Sequence, residues 1–308
     1  MGAMTEHDAA SRHIAGEGTP DASWQAWGGL RDLPAIDCAT LVPPDRRAVI
    51  VAPHPDDEVL ACGGLLQMLA AQGTHIVLVA VTDGAGSHPG STVMTPEQLA
   101  RLRPLETEAA LRTLGLGDAD AQQAGHAGQT SLATSTAAAT SASSATGAAA
   151  DRCAAAARAL PAPHLLRAPH VLRARLSDGG VSASIDQLQT LLQQLLRAGD
   201  VVFTTWRQDG HPDHEACGLA AALAANACGA TLIEMPVWTW HWAAPGDARL
   251  PWRRARRLDL GDAALQRKRA AVGCFASQLH DDPSTGLPAI LPAHVLARLL
   301  HPYEIYFT

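Results

Sequence analysis

The residues of this chain that could carry out chemistry are concentrated in two short motifs of histidines and carboxylates. The first is His54-Pro55-Asp56-Asp57-Glu58, and the second, far along the chain, is His211-Pro212-Asp213-His214. Imidazole nitrogens and carboxylate oxygens both bind zinc, and a catalytic zinc site usually takes three protein ligands and keeps one position open for water. A histidine and a carboxylate in one motif are too few, so the sequence predicts a metal site only if folding joins the two motifs.

Each motif follows an apolar run with the length and β-branched content of a buried strand. Ala48–Ala52 precedes the first motif and Val201–Thr205 precedes the second. Apolar residues at helical spacing come after each motif, so each reads as a loop between a strand and a helix, where Asp56, Asp57 or Asp213 could also serve as a helix cap. The carboxyl ends of parallel strands lie along one edge of a sheet, where ligands bind. We therefore expect the two motifs to close one site.

Further apolar runs alternate with helical patterns along the chain, which indicates parallel strands joined by helical crossovers. The predicted fold is α/β, a Rossmann-like three-layer domain with a mostly parallel sheet flanked by helices. We divide the chain into an N-terminal extension, residues 1–45, and a single domain, residues 46–308, with a low-complexity insertion at residues 118–162. The additional predicted strands are 75–81, 171–176 and 231–237, and the predicted helices include 96–114, 184–196 and 213–228.

Composition excludes several classes of function. The chain has 308 residues and a net charge of −7, which argues against general affinity for nucleic acid. No run is long and apolar enough to span a membrane, and the amino terminus lacks the apolar centre of a signal peptide. The six cysteines form no CxxC pair, and a chain of this length does not need a disulfide framework. A cytoplasmic location is the expectation.

The two histidine motifs, and several shorter motifs that occur in the family's order, resemble those of the LmbE-like, or PIG-L, family of zinc-dependent N-deacetylases. The two histidine motifs are together specific, whereas either alone would be a moderate signal. The supporting motifs are Gly63-Gly64, Thr82-Asp83-Gly84, Arg103-x-x-Glu106, and Lys268 with Ser277-Gln278.

The resemblance implies roles for residues of both motifs. By position, the metal ligands of the family fall on His54, Asp57 and His214, and its general base falls on Asp56. One Zn²⁺ per chain is expected, and Fe²⁺ is an alternative for the same ligands. Three protein ligands would leave room for the water that attacks an amide.

Four other residues receive roles from the resemblance. His211 would stabilise the tetrahedral oxyanion or protonate the leaving amine, with Asp213 holding its ring. Arg103 would bind the substrate, and Asp83 could assist it. The alternative for Arg103 is an ordinary helix-surface arginine paired with Glu106 or Glu108.

The function implied is removal of the acetyl group from an N-acetylated amino sugar or its conjugate, the hydrolysis of a linear amide. Alternatives are an amidase that acts on a sugar-thiol or another acyl conjugate, and a non-catalytic sugar-binding relative. The expected partner is a small N-acetylated sugar or glycoconjugate, with no nucleic acid and no membrane span; a homo-oligomer is left open.

Two features near the carboxyl terminus have no place in this interpretation. Trp238, Trp240 and Trp242 alternate as on an extended segment, where they would share one face, and we favour packing over sugar stacking. The basic run 253–257 reads as a solvated surface, with a phosphate clamp as the alternative.

Overall fold

The computed structural model describes residue 12 and residues 14–117 and 168–308. The predicted insertion, residues 118–162, lies outside these residues. The strands are β1 Ala48–Ala52, β2 Ile76–Thr82, β3 His170–Leu176, β4 Val201–Thr205, β5 Thr231–Met235, β6 Ala255–Asp259 and β7 Tyr303–Phe307. The α-helices are α1 Asp21–Ala26, α2 Cys38–Leu41, α3 Asp57–Gln72, α4 Pro96–Thr113, α5 Ile185–Leu195, α6 Pro212–Cys228, α7 Thr239–Trp242, α8 Asp262–Val272, α9 Ala276–Leu279 and α10 Ala293–Ala297.

Within the described residues these strands form one sheet in the order β3-β2-β1-β4-β5-β7-β6. Strands β1 to β5 are parallel to one another, which confirms the predicted mostly parallel sheet. The chain builds outward from β1 through β2 to β3, and then returns to place β4 on the other side of β1. The sheet therefore has its topological switch point between β1 and β4, where α/β folds bind ligands.

Two strands escaped the sequence analysis. Strand β7 pairs antiparallel with β5 and β6, so it reverses the direction of the sheet at this edge. Strand β6, Ala255–Asp259, includes three residues of the basic run 253–257. Its charged side chains concealed its strand character in the sequence. The run is paired within the protein, since Arg254 bonds Glu234 and Arg257 bonds Asp259.

Helices cover both faces of the sheet, as the three-layer prediction requires. Side chains of β1 alternate between two cores, with Ile50 in one and Val49 and Val51 in the other. The first core packs under α3 and α8, and the second packs under α5 and α6. Because both faces of β1 are buried, its residues are apolar throughout.

The part of the N-terminal extension that the structure describes packs against the domain. Trp24 is buried and belongs to the core that also holds Ile50, and its ring meets Trp240 edge to face at 5.1 Å between centroids. Its indole nitrogen donates to the carbonyl of Trp240. The extension thus shares a hydrophobic core with the sheet; the boundary at residue 45 stays a prediction.

Helix α3, which carries the first motif, is broken by non-helical backbone at Cys62 (φ −141°, ψ 24°). The break frees the backbone N–H groups of Gly64 and Leu65, and both donate to the buried carboxylate of Glu304. Lys268 also donates to this carboxylate, at 2.7 Å. A side chain at Gly64 would collide with Leu260, so the glycine pair allows the close approach of β7 and its neighbours.

No helix in the described ranges has the length and apolar character needed to cross a membrane. Four cysteines, Cys38, Cys62, Cys217 and Cys228, are free thiols. Cys274 is disulfide-bonded, a pairing that the sequence analysis did not predict because cysteine spacing carries no signal for it.

Candidate metal centre and active site

The two motifs meet at the carboxyl edge of the sheet, beside the switch point between β1 and β4. His54 follows β1, whereas His211 and His214 follow β4. The ring of His54 lies 4.8 Å from that of His211 and 5.3 Å from that of His214, measured between centroids. The predicted juxtaposition of the two motifs is what the structure shows.

The predicted metal ligands are joined through one carboxylate oxygen. Nδ1 of His54 and Nε2 of His214 each lie 3.2 Å from Oδ2 of Asp57. Ligands bound tetrahedrally at about 2.0–2.2 Å would be roughly 3.3–3.6 Å apart, so both separations are close to those of a zinc site. Nε2 of His214 is buried and faces Oδ2 of Asp57 without a hydrogen bond of good geometry, as a nitrogen that shares a metal with this oxygen would.

Two groups of side chains bring their ligand atoms within 4.8 Å of one another, and neither contains Asp57: His54 with His211 and His214, and His54 with Asp178 and Asp213. His54 belongs to both groups because its two nitrogens face different neighbours. Nδ1 faces Asp57, whereas Nε2 faces Asp213 at 3.2 Å and Asp178 at 3.3 Å. Its Nδ1 therefore suits a metal, and its Nε2 suits hydrogen bonds to carboxylates, the usual way in which a ligating histidine is oriented.

The resemblance implied that Asp213 holds the ring of His211, but the carboxylate of Asp213 has other partners. Oδ2 of Asp213 accepts from the Gly179 backbone and faces His54, and Oδ1 accepts from the Val181 backbone. His211 instead caps helix α6, because its Nδ1 accepts from the backbone N–H of Asp213. The sequence could not reveal this, since the partners of Asp213 come from the loop after β3.

Two carboxylates at the site were missed by the sequence analysis. Asp209 is fully buried, and its Oδ2 bonds Nδ1 of His214 at 2.8 Å. Asp178 binds His54, and its other oxygen accepts from the backbone of Gly86 at 2.7 Å. Their signal was an acid next to a glycine just beyond a predicted strand, Asp209-Gly210 and Asp178-Gly179.

Asp56, the predicted base, has an unusual backbone conformation at the N-cap of α3. Its φ of 140° is a region that residues with a side chain rarely adopt, at a cost of roughly 1–3 kcal/mol. Its side chain forms no capping bond; Oδ2 accepts instead from the guanidinium of Arg103 at 2.9 Å. Arg103 also donates to the carbonyls of Pro55 and Gly84, and Glu58 accepts from the Asp56 N–H. These contacts hold the loop in place.

Arg103 and Asp83, the predicted substrate-binding residues, both have partners within the protein. Arg103 is only 2% exposed and bonds Asp56, so it is not the solvated arginine of the alternative, and it lines the cavity described below. Asp83 faces Arg173 at 3.3 Å and is not among the residues that line the cavity described below. Substrate contact by either residue stays a prediction.

Burial and mutual charge perturb the pKa values of the site. Burial raises the pKa of Asp56 to about 8, against the opposing effect of Arg103. Burial and the neighbouring charge of His214 lower the pKa of His211 to about 3. For His214 burial acts downward, but the charge of Asp57 prevails and raises the pKa to about 9. Coupled ionisable groups in a cleft are typical of a functional site.

A cavity of about 350 Å³ opens onto this cluster. Its floor includes His54, Asp56, Asp57 and His211, and helix α7 forms part of its wall. This helix is a correction, because the tryptophans at 238–242 were expected on an extended segment. The sequence analysis missed this turn of helix because three tryptophans at alternate positions are the pattern of an extended segment.

Comparison with known proteins agrees with the motifs. Residues 49–128 match the family model described as "PIG-L: GlcNAc-PI de-N-acetylase". The 1D-myo-inositol 2-acetamido-2-deoxy-alpha-D-glucopyranoside deacetylase 1 of Catenulispora acidiphila is 35% identical over 83 residues, which are 24% of this chain and 24% of that protein. The probable N-acetyl-alpha-D-glucosaminyl L-malate deacetylase 2 of Bacillus cereus is 33% identical over 76 residues, 24% of this chain and 34% of that protein.

The aligned segments thus span only 24% and 34% of the length of these two relatives. Among solved structures, the N,N'-diacetylchitobiose deacetylase from Pyrococcus horikoshii superposes with a TM-score of 0.43 and 14% identity, over 80% of this chain and 73% of that chain. The family match contains the first motif, Asp83 and Arg103. The resemblance predicted from the motifs is confirmed, since the segment that carries the first motif matches the PIG-L family model and segments of these deacetylases.

Proposed function

We propose that this protein is a metal-dependent hydrolase that removes the acetyl group from an N-acetylated amino sugar or its conjugate and releases acetate. The observation that carries the proposal is the convergence of His54, Asp57 and His214 beside Asp56 and His211. The relatives are named as deacetylases of acetamido-glucose or N-acetylglucosaminyl compounds, which supports the substrate class.

Zinc is the metal we propose, with Fe²⁺ as the alternative. Two imidazole nitrogens and one carboxylate oxygen suit either ion, and three ligands leave an open position. A divalent cation bound there would polarise the amide carbonyl and lower the pKa of water. The buried Nε2 of His214 supports the assignment, since it faces the Asp57 carboxylate without a well-formed hydrogen bond, and a shared metal would satisfy both atoms.

Asp56 is the proposed general base. Because Arg103 occupies Oδ2, we assign proton acceptance to Oδ1. As the oxygen of water bonds to the amide carbon, Asp56 takes the proton of the water. It later returns this proton to the nitrogen of the leaving amine, when the carbon–nitrogen bond breaks. Arg103 favours the ionised carboxylate that the first step needs, whereas burial raises its pKa to about 8, and a divalent cation bound nearby would favour the ionised form further.

His211 is proposed to stabilise the oxyanion of the tetrahedral intermediate. Its Nδ1 accepts from the backbone N–H of Asp213, so the neutral ring carries its proton on Nε2. That Nε2–H is a hydrogen-bond donor beside the ligand cluster, which is what an oxyanion requires. This tautomer favours oxyanion stabilisation over protonation of the amine, the other role left open by the sequence.

The test is acetate release from a panel of N-acetylated amino sugars by the metal-stripped protein, with and without added Zn²⁺ or Fe²⁺. Acetate release that depends on the added metal is the expected result. Tight metal binding with no acetate from any sugar, and with no amine from other acyl amides, would overturn the proposal in favour of a binding protein. Fractionation would test the predicted cytoplasmic location, and light scattering the oligomeric state.

A further inference from the structure

We infer that the substrate carries an aliphatic substituent, which binds an apolar wall continuous with the metal centre. This inference rests on the proposed function and makes its substrate class more specific. The lining of the cavity that contains His54 and Asp56 also includes nine apolar side chains, seven aliphatic and two from tryptophan. The apolar wall consists of Ile14, Leu60, Val237, Trp238, Trp240, Ile290, Leu291, Val295 and Leu299.

The apolar wall is assembled from separate parts of the chain. Leu60 comes from helix α3, Trp240 from helix α7, and Val295 from helix α10. Ile14 comes from the N-terminal extension and Ile290 from the loop before α10. Side chains from so many elements facing one cavity beside a catalytic cluster are typical of a binding pocket, in which apolar residues supply affinity and a few polar groups fix orientation.

Two polar residues of the cavity lining, Arg298 and His241, already have protein partners. The guanidinium of Arg298 donates to the carbonyls of Glu17 and Thr19, and it lies 3.2 Å from Nδ1 of His241. Nε2 of His241 lies 3.3 Å from the carbonyl of Ala15. These contacts fix residues 15–19 over the cavity, and they leave the apolar wall little capacity to bond sugar hydroxyls.

The other polar lining residues bond one another or the catalytic residues. Gln278 lies 3.5 Å from the Ser87 hydroxyl, and Asp178 faces His54 at 3.3 Å. A substrate made only of hydroxyl-bearing rings would leave part of its surface desolvated against the apolar wall without hydrogen bonds, which is unfavourable. The arrangement fits an amino sugar at the metal end and an aliphatic group on the apolar wall. That group could be the acyl chain of the amide or an aglycone on the sugar.

Two substrate series distinguish these sources. The first lengthens the acyl chain on glucosamine from acetyl through butyryl and hexanoyl to octanoyl, and the second compares the methyl and octyl glycosides of N-acetylglucosamine. Amine release by the zinc-loaded full chain gives kcat/KM for each. We expect kcat/KM to rise in one series, by about fourfold for each methylene that the apolar wall covers. A rise in the first series identifies the acyl chain, and a rise in the second identifies the aglycone.

Substitution at the apolar wall provides the second part of the test. Ile290 is half-buried in a loop, so Ile290→Asn should fold, and it should reduce the preference for the octyl over the short-chain substrate by about tenfold. Leu287→Asn is the matched control, because Leu287 lies three residues earlier, is 49% exposed and does not line the cavity. This control should keep the wild-type preference.

Several outcomes would overturn the inference. If acetylated sugars are hydrolysed but kcat/KM is flat or falls along both series, the apolar wall does not bind substrate, although the proposed function stands. If nothing is hydrolysed, the proposed function fails, and the inference is decided by calorimetric binding of the octyl against the methyl glycoside and of N-octanoyl against N-acetyl glucosamine. Tighter binding of the octyl or octanoyl compound that Ile290→Asn abolishes would support it, and equal binding within both pairs would refute it.

Discussion

Asp209 offers a sharp test of how the metal centre is built. Its Oδ2 accepts from Nδ1 of His214 and from the backbone of Trp238, and its Oδ1 accepts from the backbone N–H groups of Val237 and Thr239 and from the Thr239 hydroxyl. Every neighbour donates, so the carboxylate holds the proton of His214 on Nδ1. The other nitrogen, Nε2, is then free for a metal.

Asp209→Asn changes this pattern with almost no change in shape. An amide nitrogen at the Oδ1 position would face two backbone donors, whereas at the Oδ2 position it would face only one, so it takes the Oδ2 position. There it must donate to Nδ1 of His214, which moves the ring proton to Nε2, the atom that faces Asp57. The expected loss of metal affinity is 10- to 100-fold, about 1.4–2.7 kcal/mol. The unpaired Trp238 N–H should lower the free energy of unfolding by a further 1–3 kcal/mol or so.

Competition with a chromophoric zinc chelator would measure the affinity, and urea unfolding the stability. Asp200→Asn is the matched control, because Asp200 is also buried and charge-paired, to Arg47, but at the opposite end of β4. It should reduce stability and leave metal affinity unchanged. If folded Asp209→Asn bound zinc within twofold of the wild-type affinity, the argument from the histidine tautomer would be wrong.

Three other substitutions test the base, its support and the core beneath it. Asp56→Ala should retain bound metal and lose at least about 100-fold in turnover, as measured by metal content and acetate release; near-normal rates would remove it as the base. Arg103→Lys cannot reach all three acceptors of the guanidinium, so it should lower kcat by about 100-fold with little change in KM. Arg101→Lys, on the exposed side of the same helix, should leave both kcat and KM unchanged. Lys268→Met leaves Glu304 buried without its cation and should lower the free energy of unfolding by about 3 kcal/mol in urea titrations; an unchanged midpoint would contradict this role.

Much of the fold could be predicted because its signals are local. The apolar runs at Ala48–Ala52 and Val201–Thr205 have the length of strands buried on both faces, and helical patterns follow each. Alternation of strand and helix then fixes a parallel sheet, since crossovers between parallel strands share one hand. Strands β6 and β7 were missed because one is highly charged and the other lies at the end of the chain, without a helix to mark a crossover.

The partners of the polar side chains were much less predictable. Arg103 was assigned to the substrate, yet it supports Asp56; Asp213 was assigned to His211, yet it faces His54. A charged group in a folded protein takes the partner that burial brings to it, and that partner is often remote in sequence. For Asp213 the deciding neighbours come from the loop after β3, including Gly179.

By itself the sequence determined which residue types stand at the ends of β1 and β4, and hence that histidines and carboxylates would meet at one edge of a parallel sheet. Local apolar patterning and the direction of the strands are enough for that conclusion. Only the tertiary structure decided which nitrogen of His214 is held by Asp209 and which faces Asp57, and that an apolar wall adjoins the site. Those outcomes depend on side-chain packing and hydrogen bonding between distant segments, for which a linear sequence carries no local signal.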